Sequence, residues 1–476
     1  MGTGWAPVGA DLPQRTEAAR YAEARRAQVS AAFEGDRLVV PAGGLKVRSN
    51  DSDYVFRPHS AFAHLTGLGA DREPDAVLVL EPREHGGHDP VLYFRPSATR
   101  DTDEFFVDSR VGEFWVGARP TLESTAGELG LTTRHLDDLP DALAKDVGAG
   151  LIGLRVVRDA DPDVAALVDA VRAQAGVQVD SQAEDEHELA RHLSTLRLVK
   201  DEWEVAQMRA AVQATAEAFD AVVAELPEAV RRGRGERWVE GIFGLHARHR
   251  GNGVGYDSIC AAGEHATTLH WIRNTGDIKA DELVLLDAGV ETDSLYTADV
   301  TRTLPAGGTF TEAQRRVYDV VLEAQDAGLA AARPGNTFSD IHAAAIRVIA
   351  QRLHDWGLLP EGVDVEGTMD AEHGQFHRRW MVHGTSHHLG LDVHDCARAR
   401  KADYMDGELR EGMVLTVEPG LYFKSDDELA PKELRGIGVR IEDDIVITAS
   451  GCDNLSGMLP RTADEVEAWV RSGGQR

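Results

Sequence analysis

The alternation of apolar and polar positions divides the chain into strand-like and helix-like stretches. Residues 14–34 place Ala19, Ala22, Val29 and Phe33 at helical spacing, after a loose Gly- and Pro-containing stretch over 1–13. Arg37-Leu38-Val39-Val40-Pro41 predicts a strand closed by proline and two glycines. Asp75-Ala76-Val77-Leu78-Val79-Leu80 predicts a buried strand, and Val91-Leu92-Tyr93-Phe94 predicts another beyond the Gly86-Gly87 turn and Pro90. Helical stretches follow at 121–129, 140–149 and 162–174. Strands alternating with helices predict an α/β domain. Over 184–225 the pattern becomes long helix, with Leu193, Leu196, Val199, Val205, Met208 and Val212 recurring every three to four residues. That change sets the expected boundary, with an N-terminal domain over 1–183 and a second domain over 184–476. The second domain alternates short strands with long helices at 312–332 and 338–356, so the fold class is α/β (α+β).

The most informative stretch lies in the second domain. Leu283-Val284-Leu285-Leu286-Asp287 is an apolar run ending in a carboxylate. A turn with Thr292-Asp293-Ser294 follows, and the β-prone run Tyr296-Thr297-Ala298-Asp299-Val300-Thr301-Arg302-Thr303 carries a second carboxylate. The pattern predicts a hairpin. Neighbouring strands lie ~4.8 Å apart and opposed residues share a face, so Asp287 and Asp299 are expected side by side. Adjacent carboxylates repel unless a proton or a cation joins them.

Further on, His383-Gly384-Thr385-Ser386-His387-His388-Leu389-Gly390-Leu391-Asp392-Val393-His394 holds four histidines in twelve residues, interrupted by two glycines. Histidine titrates near neutrality and ligates metals. His383 and His387 share a face if the stretch is helical, while the glycines fit a turn-rich path equally well. Val414-Leu415-Thr416-Val417-Glu418 is a strand ending in a carboxylate before Pro419-Gly420. In Ile437-Gly438-Val439-Arg440-Ile441-Glu442 the apolar side chains face one way, and Arg440 and Glu442 the other. Asp443 and Asp444 read as turn residues.

Four carboxylates and one imidazole form an inventory for divalent cations. Oxygen ligands favour Mn²⁺ or Mg²⁺, and one imidazole moves the preference toward Mn²⁺, Co²⁺ or Zn²⁺. Four negative charges balance two such ions, held ~3.5–4 Å apart in two-metal hydrolases. The chemistry indicated is hydrolytic.

Composition adds exclusions. Lys+Arg 50 against Asp+Glu 80 gives a net charge of −30, which disfavours nucleic acid and anionic membranes as partners. Cys260, Cys396 and Cys452 lie far apart with no C-x-x-C pair, so neither a disulfide framework nor a thiolate metal site is expected. No run approaches the ~20 apolar residues of a membrane span, and the N-terminus has no leader pattern. A cytoplasmic protein is expected.

Taken in order, these motifs resemble the pita-bread metallopeptidases, and among them the aminopeptidase P family. The matching segments are Asp-Ala-Gly…Asp-x-Thr-Arg-Thr at 287–303, His-Gly-x-Ser-His…Gly-Leu-Asp-Val-His at 383–394, Thr-Val-Glu-Pro-Gly-Leu-Tyr at 416–422 and Gly-Val-Arg-Ile-Glu-Asp-Asp at 438–444. Leu196-Arg197…Lys200…Glu204 resembles the family's entry into its catalytic domain. Ser60-Ala61-Phe62…Thr66-Gly67…Glu73-Pro74-Asp75 resembles its N-terminal domain.

The resemblance implies two divalent ions, Mn²⁺ first with Zn²⁺ or Co²⁺ as alternatives, held by Asp287, Asp299, His387, Glu418 and Glu442. It selects His387 over His388. It implies that His383, His394, Glu418 and Arg440 serve catalysis. It places His270, His383, His394, Arg440 and Tyr422 at the substrate, with His270 at the proline pocket. The implied substrate is a peptide with proline at position two. Prolidase, which cuts only Xaa-Pro dipeptides, is the alternative on the same ligand set, and a non-catalytic pita-bread binding module is a distant third. The family is often dimeric or tetrameric, and Trp115 resembles a tryptophan that approaches a neighbouring subunit's site. Two departures stand out. The hairpin is one residue longer between its aspartates than in familiar relatives, and Ala61 stands where some relatives carry an acid.

Overall fold

The structure is a computed structural model that describes residues 2, 4–5, 12–70, 72–148, 152–177 and 183–476. Much of the loose stretch expected over 1–13 lies outside them. The chain divides into two compact units, Met1–Ser194 and Thr195–Arg476.

The first unit is built on a mixed five-stranded sheet. Its strands are β1 (Asp36–Pro41), β2 (Val77–Pro82), β3 (His88–Phe94), β4 (Thr132–His135) and β5 (Gly153–Val156). They lie in the order β4-β3-β2-β1-β5, with β1, β2 and β3 antiparallel and the two outer pairings parallel. Val39, Val79 and Val91 share one face with Leu139, Val164 and Val168. Leu38, Leu78, Leu80 and Leu92 are buried on the other face. Burial on both faces explains why β2 reads as an unbroken apolar run. Helices α1 (Glu17–Ala32), α2 (Leu122–Leu129) and α3 (Pro162–Gln174) form where the spacing predicted them. Helix α4 (Ala183–Leu196) begins near the expected boundary. Its Glu186 receives Arg172 (2.7 Å) and Arg158 (2.8 Å), which ties it to the first unit.

The long helix expected over 184–225 is two helices. The chain leaves α4 at Leu196 and restarts as α5 (Glu202–Arg231). Asp201 caps α5 in a reciprocal box with Glu204, each side chain accepting the other's backbone N–H at 3.0 Å. Helix α5 packs on α6 (Gly235–Arg250), and α7 (Glu312–Ala331) packs on α8 (Phe338–Asp355). Phe219, Phe243, Val284, Leu286, Tyr318 and Ile346 share the core between these helices and the strands.

Three short sheets carry the chemistry. Strands β6 (Ile259–Ala262), β7 (Leu283–Ala288) and β8 (Val300–Pro305) form an antiparallel sheet with β7 central. Strand β9 (Val414–Val417) leads to the pair β10 (Gly420–Tyr422) and β11 (Gly438–Arg440). Strand β12 (Asp443–Ile447) returns against β9 and against β13 (Cys452–Asn454). A bridge between Thr301 and Glu442 joins the sheets, and the Thr303 hydroxyl donates to Arg440 O at 2.9 Å.

Asp443 and Asp444 correct the sequence reading. They are not turn residues but open β12, and both are wholly buried. Arg302 Nη2 donates to Asp443 Oδ1 at 2.7 Å, and Ser456 Oγ and Asn454 Nδ2 donate to the same carboxylate at 2.9 Å. Asp444 Oδ2 accepts the backbone N–H of Asp299 at 3.0 Å. A strand absorbs two acids here because each finds buried donors.

Candidate metal centre

The site forms where these sheets end. Asp287 is the penultimate residue of β7, and its register partner is Thr301. Asp299 stands two residues before Thr301, so the two acids are diagonal neighbours rather than directly opposed. Gly289 permits the approach. A Cβ there would lie 1.6 Å from Ala298 O, so no side chain fits where the strands cross. Gly255 serves the residue after it in the same way, since a Cβ would meet Thr297 Oγ1 at 1.8 Å. That residue, Tyr256, is a component the sequence reading missed. Its hydroxyl bridges Asp287 Oδ1 (2.6 Å) and Asp299 Oδ1. The glycines flanking Val254 were the available signal, but nothing in their spacing points to the distant hairpin.

The histidine segment follows the turn-rich path. His387 Nε2 lies 3.2 Å from Asp299 Oδ2 and 3.4 Å from Glu418 Oε1. Its backbone N–H donates to Thr416 Oγ1 at 3.1 Å, which hangs it on β9. His388 points the other way, stacked on Phe338 at 5.3 Å and edge-on to Tyr404 at 4.5 Å. Ligating atoms of Asp299, His387 and Glu442 fall within 4.8 Å of one another. Glu442 Oε2 accepts from Thr301 Oγ1 at 2.6 Å. Arg440 donates through Nη2 to Asp287 Oδ2 (2.5 Å), through Nη1 to the Tyr422 hydroxyl (3.1 Å) and through Nε to Thr301 Oγ1 (3.2 Å).

A cleft of about 430 Å³ opens on these groups, lined by Asp287, Asp299, His387, Glu418, Arg440 and Glu442 among others. His270, His383 and His394 stand on its walls, with Leu269, Ile272 and Val393 as apolar surface. Tyr422 lies behind the wall, its hydroxyl 2.8 Å from His383 Nε2. Trp115 belongs to the other unit, 60% exposed, with its indole N–H on Phe106 O.

The electrostatics follow from burial. Burial and the neighbouring acids push Glu442 well above the carboxylate range. Burial pushes Glu418 up to about 7, although His387 pulls the other way. Burial also raises Asp287, against the pull of Arg440. Burial works against a charged His387, but its hydrogen bond to Asp299 and the charge of Glu418 prevail and hold it up at about 9. Burial, then Arg440, pushes His383 down to about 3. Four carboxylates thus share one pocket with too little positive charge, and the donor set of oxygens and one imidazole nitrogen suits divalent cations.

Carboxylates and an imidazole converging at strand ends define the class: a metal-dependent hydrolase. The description "Metallopeptidase family M24" matches residues 206–449, and "Aminopeptidase P, N-terminal domain" matches residues 22–150. Xaa-Pro aminopeptidase 2 of Streptomyces coelicolor is 50% identical over 471 residues, covering 99% of this chain and 95% of that protein. A variant of Escherichia coli aminopeptidase P in complex with substrate is similar with a TM-score of 0.80 and 29% identity, covering 98% of this chain and 100% of that one. Proline aminopeptidase P II from Yersinia pestis gives 0.81 and 31%, covering 95% and 99%. The chain belongs to metallopeptidase family M24, with an aminopeptidase P N-terminal domain ahead of the pita-bread catalytic domain.

Proposed function

We propose that this protein is an Xaa-Pro aminopeptidase that releases the N-terminal residue from peptides with proline at position two. The observation that carries the reading is the convergence of Asp287, Asp299, His387, Glu418 and Glu442 on one cleft, in a chain 50% identical to Xaa-Pro aminopeptidases along nearly its whole length. These five residues would hold two divalent ions, Mn²⁺ by preference. When bound, such ions acidify a water and polarise a peptide carbonyl.

The chain's own groups do the rest. Glu418, which follows β9 beside His387, passes a proton from the attacking water toward the leaving proline nitrogen. The water oxygen bonds the carbonyl carbon, the C–N bond breaks, and that nitrogen gains the proton. His383, kept neutral by burial and held by the Tyr422 hydroxyl, and His394 at the cleft edge face the carbonyl where charge develops. The wall of Leu269, His270 and Ile272 offers apolar surface to a proline ring, which has no N–H to satisfy.

One observation supports this reading over prolidase. A dipeptidase grips a free carboxylate with a cation. Among the described residues lining the cleft, Arg440 is the only Arg or Lys, and it is committed to Asp287, Tyr422 and Thr301. The N-terminal domain favours the same side. Purified, Mn²⁺-loaded protein is expected to release the first residue from Xaa-Pro-Xaa tripeptides at least as fast as from Xaa-Pro. Hydrolysis confined to dipeptides would make it a prolidase.

The reading extends to a cytoplasmic homo-oligomer, dimer or tetramer. Three unpaired cysteines support the compartment, and exposed Phe114 and Trp115 support the assembly. Among the described residues, no helix is long and apolar enough to cross a membrane. In this reading the catalytic domain starts at residue 184, within α4, ahead of the division between compact units at Ser194 and Thr195.

A further inference from the structure

Glu236, in the first turn of α6, is wholly buried and outside the metal centre, yet it accepts four hydrogen bonds. Oε1 accepts from Ala262 N (2.8 Å) and pairs with His265 Nδ1 (2.7 Å). Oε2 accepts from Trp271 Nε1 (2.9 Å) and Gly276 N (2.6 Å). The Glu236 backbone N–H returns to Gly276 O at 3.2 Å, closing the ring. All the donors come from one segment, 262–276, that leaves β6 and returns toward β7.

That segment has little regular structure of its own. A short 3₁₀ turn over Gly263–Thr267 is followed by turns and irregular backbone up to β7. His265 stacks on Trp271 at 3.9 Å, with both rings also hydrogen-bonded to Glu236. No Cβ fits at Gly276, where it would lie 2.9 Å from Glu236 Oε1 and 2.8 Å from His265 Nδ1. On its other side the same segment presents Leu269, His270 and Ile272 to the cleft. A loop fixed by its own backbone would not need a buried charge. This one is organised around a carboxylate whose four acceptor positions are filled by the loop.

We infer that Glu236 is a positioning residue for substrate specificity: it sets the shape of the 269–272 wall and thereby the preference for proline at position two. This rests on the reading of the cleft as an Xaa-Pro aminopeptidase site. Glu236 does not line the cleft, and its hydrogen bonds go to none of the candidate metal-ligating side chains. Its effect is on how well the proline ring is held, hence on KM and on the ratio between proline and alanine substrates, and not on the metals or on the proton at Glu418.

Three variants test it. Glu236→Gln turns one acceptor into a donor that faces Trp271 Nε1 and Gly276 N, or the opposite pair if the amide flips. In the first orientation two of the four bonds are lost; in the flipped one the bond from Ala262 N is lost, while His265 can keep its bond by exchanging tautomer and accepting at Nδ1. Trp271→Phe deletes one donor, keeps the ring, and decides the question if Glu236→Gln does not fold. Glu236→Asp keeps the charge on a shorter arm. Initial rates are measured on Xaa-Pro-Xaa and Xaa-Ala-Xaa with metal content determined in the same samples, together with hydrogen–deuterium exchange read over 262–276. For Glu236→Gln we expect KM for the proline peptide to rise about tenfold, the cost of ~1.4 kcal/mol of binding. We expect kcat within about twofold, bound metal unchanged, and faster exchange at 262–276 alone. Trp271→Phe moves the same quantities less, and Glu236→Asp falls between wild type and Glu236→Gln. An unchanged KM and proline-to-alanine ratio, or a fall in kcat alone with metal loss, would overturn the inference. If wild-type protein itself fails to cleave the proline peptide, the functional reading has failed instead, and the exchange data still report on the loop.

Discussion

Arg302 and Asp443 form an ion pair with no exposed surface on either side, directly behind the metal centre. Arg302 also donates to Thr301 O (2.9 Å), Glu442 O (2.7 Å) and Pro460 O (2.8 Å), so it joins β8 to the link between β11 and β12 that carries Glu442. Replacing Arg302 with Met keeps the aliphatic stem and removes every donor. Asp443 is then left buried with its principal counter-charge gone. Breaking a buried pair in this way costs ~3–5 kcal/mol. At ~2–4 °C per kcal/mol for a unit of this size, the melting temperature falls by roughly 6–20 °C. Asp443→Asn in the Arg302→Met background removes the uncompensated charge and keeps the shape of the pocket and one acceptor oxygen for Ser456, at the cost of the acceptor that serves Asn454 and Gln325. The double variant should therefore recover at least ~2 kcal/mol of the loss, a coupling read from the double-mutant cycle. The assay is thermal unfolding of all four proteins at one fixed excess of Mn²⁺, because ligand binding shifts the midpoint by itself. A single variant that loses less than ~1 kcal/mol, or a double variant no better than the single, would refute the argument that this pair fastens the two hairpins.

Protonation gives a second prediction. Glu418 (about 7) and His387 (about 9) both lie above their ordinary values in the metal-free protein, so the folded chain binds protons that the unfolded chain releases. Metal-free stability should fall as pH rises from about 6.5 to about 9; below that range the buried, neutral His383 works in the opposite direction. Metal uptake at pH 7 should release protons, seen by calorimetry in two buffers of different ionisation enthalpy; equal heats in both would contradict it. His387→Ala should lose metal and activity, whereas His388→Ala should keep its metal and lose roughly 2–3 kcal/mol of stability from the emptied space between Phe338 and Tyr404. Equal metal loss in the two, measured by mass spectrometry, would count against the assignment. Tyr256→Phe removes the phenol between Asp287 and Asp299 and should cost ~10–100-fold in metal affinity or kcat with the fold intact by circular dichroism. No change in either would show that the bridge is idle.

The strands of the metal centre were legible because each is an apolar run that ends in a single acid: Asp287 after Leu283–Leu286, and Glu418 after Val414–Val417. Arg440 and Glu442 were legible through period-two alternation. Asp443 and Asp444 were misread because two adjacent acids suit a turn in isolation; donors distant in the chain, Arg302 for Asp443 and the backbone N–H of Asp299 for Asp444, make a strand tenable. Tyr256 and Glu236 were invisible for the same kind of reason. Each acts through partners on other elements, and no local period marks a side chain whose purpose is set by the tertiary fold. The break between α4 and α5 was in the text, since Asp201 and Glu204 spell a capping box, but the recurrence of apolar residues across it was the louder pattern.

The proposed function requires activity to depend on two divalent ions at Asp287, Asp299, His387, Glu418 and Glu442. The direct test is to strip the protein with chelator, titrate Mn²⁺ back, and measure bound metal and cleavage of an Xaa-Pro-Xaa peptide in each sample. Activity should be absent in the stripped protein and should rise with occupancy to a plateau at about two ions per chain. Full activity in metal-free protein, or a plateau reached with no metal at these five residues, would contradict it.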